Sequence, residues 1–467
     1  MGSPSNVNAR YTINVTDLID QNRLSSLQIR ITILCGLVLF FDGYDIASLS
    51  STVPLLADAI KVKVSLMGAV FVFTSIGILA GNLVFGSLAD RFGRKWMTVL
   101  STCLCGIFVL MTPHVGSLQG LMVVRLLTGL GIGGAMPNAM AMVSEYSPKR
   151  SRSFLMTLAF TGVPIGGSSA HFLAAFFMKT FGWHWVFYFG AIVPLVLCLI
   201  LIAALPEAIR FMVNRKQESE RITLLLTTMY GKFTPADVPE GAAVDFILSE
   251  DPHKRRVPLA DVMKEGRAGL TILAWIANFM TLVVGLFITS WFPTVLRLNG
   301  IPLTTGVQIA GLFNLAAVFG TPIVGRLMDR WTPSRALTFS YIASIIFVAS
   351  FGFAGKSLVL LGIVTFLAGF FVYGSQAGLM AFAATLYPIS LRATGLGWVF
   401  GVGRAGPIVG QGIGAFMIAR HWPLANMFMA AAVPALIATV CLLAMKQILQ
   451  KREAQAAVAP EPAGGRQ

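Results

Sequence analysis

Long apolar stretches separated by short polar loops run along the chain from about residue 28 to residue 447. Many of them reach the roughly 20 residues that an α-helix needs to cross a bilayer. Reading the stretches between charged or turn-rich breaks predicts twelve membrane helices, with centres near residues 41, 77, 105, 131, 166, 195, 282, 316, 345, 371, 406 and 435. The pattern indicates an all-α polytopic membrane protein, because the strands of a β-barrel would be short and would alternate in polarity.

Polar segments divide the twelve helices into two groups of six. A segment rich in Lys, Arg and Glu separates the sixth helix from the seventh, and basic loops concentrate on the cytoplasmic side of membrane proteins. An even number of spans then places both termini in the cytoplasm. We therefore expect a cytoplasmic segment 1–27, a six-helix bundle 28–206, a cytoplasmic linker 207–268, a second bundle 269–447 and a disordered tail 448–467.

The two groups of helices repeat each other in sequence. Four matches occur in the same order in both halves, at offsets of 239 to 243 positions. Internal repeats of this length are typical of transporters built from two related bundles. The matched segments are Gly86–Arg91 with Gly325–Arg330, Pro54 with Pro293, Tyr146–Arg150 with Tyr387–Arg392, and Pro164 with Pro407.

The composition supports a membrane protein and argues against several other classes. Only 12% of the residues are charged and 56% are hydrophobic, whereas soluble chains carry about 25% charged residues. The net charge of +15 does not indicate nucleic-acid binding, since the basic residues lie in loops between apolar spans. The five cysteines lie inside spans without zinc or disulfide spacing, and no phosphate-binding loop is evident. We expect no cofactor, no metal and no enzymatic activity.

Two aspartates, Asp42 and Asp45, lie in the middle of the first apolar stretch. A carboxylate at the centre of a membrane helix costs roughly 2.5–3.5 kcal/mol on insertion scales, so two within one turn require a functional reason. Protons are the simplest cargo for a buried carboxylate, whose protonation depends on its surroundings. At the repeat offset of 239 these positions fall on Thr281 and Val284, so the duplicated scaffold does not need the acids.

Two arginines have no basic counterpart in the repeat. Arg125 falls on Val364, and Arg404 falls on Thr161 at the local offset of 243. The helical rise per residue puts the aspartates and Arg125 at similar heights, so these three form one candidate proton-coupling site. A permanent ion pair that only locks two helices is the alternative. Arg404, near the midplane, is the candidate to hold an anionic substrate through two parallel hydrogen bonds, or it pairs with an acid of the first half in the empty state.

Several motifs resemble those of a known transporter family. Gly86–Lys95 resembles the signature loop of the major facilitator superfamily, Arg125–Gly131 its fourth-helix motif, and Gly162–Gly166 its fifth-helix motif. The stretch Asp42–Asp45 resembles the first-helix motif of the aromatic acid:proton symporters, bacterial importers of benzoate-like acids. The resemblance implies a major facilitator fold of two pseudo-symmetric six-helix bundles, which imports a small aromatic carboxylate with protons by alternating access. We expect a functional monomer in the bacterial inner membrane.

Charges that occur in both halves are interpreted as scaffold and gates. Glu145 lies about 30 Å along the fourth helix from Arg125, where it can reach Arg91 or Arg94. The resemblance implies that it belongs to the charge cluster that latches the inner gate in this superfamily, and a proton-carrying role is the alternative. The predicted gating residues are Asp90, Arg91, Arg94, Glu145, Arg150, Asp329, Arg330 and Arg392.

An aromatic acid needs ring-stacking surfaces and a few hydrogen-bond donors in its binding site. Polar and aromatic residues in the middle of the spans are candidates for both roles, although such residues also form interhelical hydrogen bonds and fill cores. His171, deep in the fifth span, is either a buried structural histidine or a proton relay. The predicted substrate-binding residues are Arg404, Tyr44, Tyr373, Gln376, Trp398 and Asn278.

Two alternative functions are compatible with the sequence. A transporter of the same superfamily for another organic anion, such as a dicarboxylate or a sugar acid, would share these features, and so would a drug/proton antiporter. Arg404 argues against an exporter of cations, which has little use for a guanidinium near the midplane. The sequence does not name the aromatic acid, because one or two side chains that shape the pocket decide between ring substituents.

Overall fold

The computed structural model of the chain describes residues 11–215, 219–231, 244–248, 258–355 and 357–458. The beginning of the expected segment 1–27, much of the linker 207–268 and the end of the tail 448–467 lie outside the described residues. The chain divides into two compact units. Unit 1 comprises Met1–Val62 and Phe73–Lys254, and unit 2 comprises Lys63–Val72 and Arg255–Gln467.

Unit 1 contains two short strands and the helices of the first half of the chain. The first residues of its third helix group with unit 2. The elements in chain order are β1 (Tyr11–Asn14), α1 (Val15–Gln21), α2 (Ser26–Ala59), α3 (Met67–Phe92), α4 (Arg94–Met111), α5 (Leu118–Tyr146), α6 (Arg152–Phe160), α7 (Gly162–Thr180), α8 (His184–Ala204), α9 (Ile209–Asn214), α10 (Ser219–Tyr230) and β2 (Val244–Ile247).

Unit 2 is helical throughout its described part. In the second half of the chain it begins with a short helix of five residues, which precedes the first long helix. The elements in chain order are α11 (Leu259–Met263), α12 (Ala268–Leu298), α13 (Leu303–Arg330), α14 (Pro333–Ser350), α15 (Leu358–Thr385), α16 (Ile389–Gly403), α17 (Gly406–Ala419) and α18 (Leu424–Val458).

Ten helices in the described part of the chain are long and apolar enough to cross a membrane. The predicted fifth and eleventh spans are each built from two consecutive helices instead of one. This architecture confirms the predicted all-α polytopic fold class. The ten helices are α2, α3, α4, α5, α8, α12, α13, α14, α15 and α18.

The breaks in the fifth and eleventh spans each lie four residues before a proline. Proline has no backbone N–H, and its ring clashes with the carbonyl four residues earlier, so it kinks or interrupts a helix; at other positions, such as Pro54 in α2 and Pro293 in α12, the helix continues through the proline. Helix α6 ends at Phe160, four residues before Pro164, and α16 ends at Gly403, four residues before Pro407. Continuous spans were predicted here, because the apolar composition continues through both breaks. The second break places Arg404 at the joint between α16 and α17, where its backbone keeps right-handed helical dihedrals.

The amino-terminal segment and the linker meet in a strand pair that the sequence analysis did not predict. Strands β1 and β2 pair in parallel, with Tyr11 opposite Val244. Next to them, Asp20 accepts a hydrogen bond from the backbone N–H of Lys149 (2.8 Å) and lies 3.0 Å from its Nζ. Burial acts to raise the pKa of Asp20, but the bonds and the charge of Lys149 outweigh it and leave the pKa below its usual value.

Backbone contacts between α2 and α7 fix the position of the two aspartates on α2. A Cβ atom added at Gly43 would collide with the carbonyl of Val163, and one added at Gly166 would collide with the carbonyl of Phe40. Glycine is required at such points because only its missing side chain allows two helices to approach this closely. The stretch Asp42–Asp45 is therefore held against α7 along one side.

Candidate functional site

A buried ion pair joins α2 to α5 in unit 1. The Nη1 atom of Arg125 lies 2.8 Å from Oδ1 and 2.9 Å from Oδ2 of Asp45. Arg125 is 0% exposed and Asp45 is 1% exposed. The guanidinium carbon also lies 5.2 Å from the ring centre of Phe187 on α8, close enough for an attraction between the cation and the ring face. Among the two candidate acids, the structure thus brings Asp45 to Arg125.

The pair with Asp45 leaves part of the Arg125 guanidinium unused. All of its contact with the carboxylate is made through Nη1, and the buried Nε and Nη2 atoms have no hydrogen-bond partner among the described residues. Asp42 lies one turn earlier on α2 and is 6% exposed. Asp42, Asp45 and Arg125 are thus all buried in unit 1.

Tyr44, between the two acids in sequence, lies in the core of unit 1. It is 0% exposed, and its hydroxyl donates a hydrogen bond to the carbonyl of Val186 at 3.0 Å. Its ring packs 5.5 Å from the ring of Phe189. These contacts anchor α2 to α8, and the role of Tyr44 as a surface for substrate stays a prediction.

His171 has the contacts of a structural histidine. Its Nδ1 lies 2.7 Å from the carbonyl of Gly167, so this nitrogen must carry the hydrogen because a carbonyl only accepts. The other nitrogen, Nε2, lies 3.5 Å from the Ser50 hydroxyl. The ring is fully buried, and the geometry favours the structural interpretation over a proton relay.

A polar cluster in unit 2 connects three long helices. The Tyr373 hydroxyl of α15 donates to Oδ1 of Asn314 on α13 at 2.9 Å and lies 3.4 Å from the Thr289 hydroxyl of α12. The buried Nδ2 of Asn314 has no hydrogen-bond partner among the described residues. Gln376 lies one turn after Tyr373, half-buried, and the described residues give its amide no partner either. We call these four residues, Thr289, Asn314, Tyr373 and Gln376, the amide cluster.

Thr289 and Asn314 were absent from the predicted substrate residues. The signal for Asn314 was present in the sequence, since an amide in the middle of an apolar span requires a partner or a ligand. Thr289 gave no comparable signal, because threonine in a membrane helix usually satisfies its hydroxyl on the preceding turn.

Arg404 lies in the joint between α16 and α17. It is half-buried, and its guanidinium carbon lies 4.7 Å from the ring centre of Phe400. Asn278 of α12 packs against the end of α16. Its Nδ2 donates a hydrogen bond to the carbonyl of Val399 at 2.9 Å, and a Cβ atom added at Gly403 would collide with the same Nδ2. The Asn278 Oδ1 atom is buried and has no partner in the described part of the chain. Asn278 thus acts on the last turn of α16, immediately before Arg404.

Trp398 lies on the exposed side of α16. It is 42% exposed and packs at 6.0 Å and 34° against Trp275 of α12. Of the predicted substrate residues, the structure places Tyr373 in contact with Asn314 and Thr289, with Gln376 one turn further along α15, and places Asn278 beside the Arg404 joint. Trp398 belongs to a separate aromatic pair.

The signature loop after α3 is organised by one carboxylate that the sequence analysis missed. Gly93 has a φ of +94°, a conformation that favours glycine. The Glu207 carboxylate lies where a Cβ of Gly93 would be and accepts hydrogen bonds from the backbone N–H groups of Lys95 (3.0 Å) and Ala208 (2.9 Å). The sequence signal was weak, because Glu207 follows the sixth span within a generally charged segment.

Two of the predicted gating residues form an ion pair with each other, and the other six are exposed. Arg94 lies 3.2 Å from Glu145, as expected from their positions. The Arg91 carbonyl accepts a hydrogen bond from Arg215 (2.7 Å), and Arg150 donates to the Asn22 carbonyl (2.6 Å). The remaining four are exposed and form no ion pair with any described residue: Asp90, Asp329, Arg330 and Arg392.

Comparison with known proteins gives consistent matches along the whole chain. The family model of the Major Facilitator Superfamily matches residues 35–363 and 302–465. The 4-hydroxybenzoate transporter of Pseudomonas aeruginosa is 34% identical over 95% of this chain and 98% of its own length. The gallate transporter of Pseudomonas putida is 32% identical (92% and 95%), and the benzoate transport protein of Acinetobacter baylyi is 31% identical (92% and 91%).

Solved structures show the same fold at low sequence identity. A crystal structure of a D-xylose-proton symporter aligns with a TM-score of 0.69 at 16% identity, over 90% of this chain and 97% of that one. The inward open form of the xylose transporter of E. coli aligns with a TM-score of 0.66 at 16% identity, covering 94% and 98%. These likenesses concern the fold alone.

Proposed function

The chain belongs to the major facilitator superfamily, and we propose that it imports a small aromatic carboxylate together with protons by alternating access. The superfamily membership confirms the resemblance seen in the sequence motifs and makes the chain a multi-pass membrane transporter, not an enzyme. Relatives named for 4-hydroxybenzoate, gallate and benzoate support the substrate class. The observation that carries proton coupling is the buried Asp45–Arg125 pair with Asp42 one turn away.

The two acids have different roles in this proposal. Protonation of Asp45 would leave the fully buried Arg125 without its counter-ion, and an uncompensated buried charge costs several kcal/mol. Asp45 therefore stays with Arg125 while Asp42 takes up and releases the proton.

The substrate carboxylate is assigned to Arg404 in this proposal. A guanidinium offers two parallel hydrogen bonds to a carboxylate, and the half-buried joint leaves Arg404 accessible in part. The amide cluster would bind hydroxyl groups on the ring, since the Asn314 Nδ2 and the Gln376 amide are donors without partners among the described residues.

We further propose that the transporter lies in the bacterial inner membrane and functions as a monomer, with both termini and the linker in the cytoplasm. The basic residues of the signature loop and of α9 and α10 support this orientation through the positive-inside rule. Under this orientation, Arg94–Glu145 and the contacts of Glu207 stabilise the cytoplasmic ends of α3, α4 and α5.

Uptake of labelled aromatic acids by cells that express the protein tests the proposal. We expect accumulation of at least one hydroxybenzoate, collapse of that accumulation by a protonophore, and loss of it in Asp42→Asn. Asp58→Asn is the matched control, because Asp58 lies on the same helix but is exposed. Protonophore-insensitive uptake would contradict symport, and selective uptake of dicarboxylates or sugar acids would contradict the substrate class.

A further inference from the structure

A cavity of about 660 Å³ opens in unit 1 beside the signature loop. Its walls come from the loop-side ends of α2, α4 and α8 and from the linker helices α9 and α10. We propose that this cavity, which we call the linker pocket, binds the phosphate headgroup of an anionic phospholipid. Basic and apolar side chains line it together, among them Arg30, Lys95, Trp96, Arg215, Arg221 and Leu224.

The charge of the linker pocket matches an anion. Four of its lining residues are basic, and Glu207 is its one acidic lining residue. The carboxylate of Glu207 already accepts hydrogen bonds from the Lys95 and Ala208 backbone N–H groups. The lining residues therefore carry a net charge of +3, from four basic side chains and one acidic side chain. Clusters of Lys and Arg at a membrane surface typically bind anionic lipid headgroups.

Existing contacts hold two of the cations in place at the wall. The Nζ of Lys95 donates to the carbonyl of Ile202 at 2.7 Å and lies 5.6 Å from the ring centre of Trp96. Arg215 donates through Nη2 to the carbonyl of Arg91 at 2.7 Å. Each uses only part of its donor capacity in these bonds, since an ammonium has three N–H donors and a guanidinium five. The remaining donors are available to phosphate oxygens.

Large apolar side chains beside the cations favour a lipid over a soluble anion. Trp96 is 50% exposed, Phe92 is 51% exposed and Leu224 on α10 is 69% exposed, and all three line the pocket. Tryptophan concentrates at the level of lipid headgroups, where one side of the ring is apolar and the other is wet. A headgroup at the cations would place its acyl chains against these three residues.

The sequence repeat indicates that Arg30 and Lys95 are not part of the shared scaffold. At the offset of 239 that relates the signature loops, Arg30 falls on Gly269 and Lys95 falls on Ser334. Two of the four charges are thus absent from the corresponding positions of the second half. The same comparison that singled out the buried acids of α2 therefore singles out this surface.

Native mass spectrometry of the full-length protein in mild detergent tests the proposal. The probes are phosphatidylglycerol, phosphatidylcholine with the same acyl chains, and glycerol 3-phosphate as the headgroup without a lipid tail. We expect wild type to retain phosphatidylglycerol at least 10-fold more than phosphatidylcholine. The double variant Arg30→Gln/Arg221→Gln should bind phosphatidylglycerol about 30-fold more weakly, at about 1 kcal/mol for each basic residue near the surface.

Two further variants serve as controls, one for the position of the charges and one for correct folding. Arg326→Gln/Arg335→Gln removes two exposed arginines from unit 2 and should bind lipid as wild type does. Arg30→Lys/Arg221→Lys keeps the charge and should retain most of the binding, which shows that weaker binding in the Gln variant is not caused by misfolding. Equal retention of the two lipids, or equal loss in the unit 2 control, would overturn the proposal. Tight binding of glycerol 3-phosphate alone would instead identify a site for a soluble phosphate ester.

Discussion

Removal of one partner from the buried Asp45–Arg125 pair should be far more damaging than removal of both. Asp45→Asn deletes the charge that lies 2.8 and 2.9 Å from Arg125 Nη1 and leaves a guanidinium that is 0% exposed. Breaking a buried pair in this way costs about 3–5 kcal/mol because it leaves an uncompensated buried charge, whereas replacing both partners by well-packed hydrophobic residues is often neutral or stabilising. The double variant Asp45→Asn/Arg125→Gln should therefore recover much of the lost stability.

Unfolding titrations in detergent measure this difference for wild type, the two single variants and the double variant. The four free energies of unfolding form a double-mutant cycle, whose coupling energy reports the interaction of the pair. Uptake measured on the same four proteins separates structure from transport: the double variant should be stable and still transport-deficient. Additive losses, or a cost below about 1 kcal/mol for Asp45→Asn, a value typical of exposed pairs, would refute the reasoning.

Three further predictions concern the other parts of the site and the fold. Arg404→Lys should raise the KM for aromatic acids by about 10-fold in uptake assays, because an ammonium cannot form the two parallel hydrogen bonds of a guanidinium; an unchanged KM would exclude carboxylate binding there. Tyr373→Phe removes the bond to Asn314 and should impair uptake of hydroxybenzoates more than uptake of benzoate, and an equal effect on both would contradict ring-hydroxyl recognition by the amide cluster. Gly43→Ala should destabilise the protein by about 1–3 kcal/mol through overpacking, while Gly86→Ala, which has no atom within 4 Å of the added Cβ, should have little effect on thermal unfolding.

The fold was predictable from the sequence because membrane helices leave a strong local signal. Twenty apolar residues between basic loops define a span without reference to any partner, and the repeat supplied the division into halves. The breaks in the fifth and eleventh spans were not predicted, because composition continues through them. They lie four residues before Pro164 and Pro407, a relation of backbone geometry that hydropathy does not record.

The site was predictable in its chemistry but not in its pairings. Asp42 and Asp45 are three residues apart, so they differ in direction by about 60° around a helix, and hydropathy cannot tell which of them faces α5. Tyr44 shows the same limit, since Asp45 next to it pairs with Arg125 while Tyr44 itself lies in the core of unit 1. Glu207 was missed because its partners are backbone N–H groups, which every sequence contains.

The pairing of β1 with β2 has a consequence for biosynthesis. The paired positions Tyr11 and Val244 are 233 residues apart, so the first strand made by the ribosome has no partner until nearly all of unit 1 has been synthesised. At about 5–20 residues per second, the amino-terminal strand waits on the order of 10–50 s. Closure of this pair therefore comes late in the assembly of unit 1, and a chain truncated before the linker strand leaves β1 as an open edge.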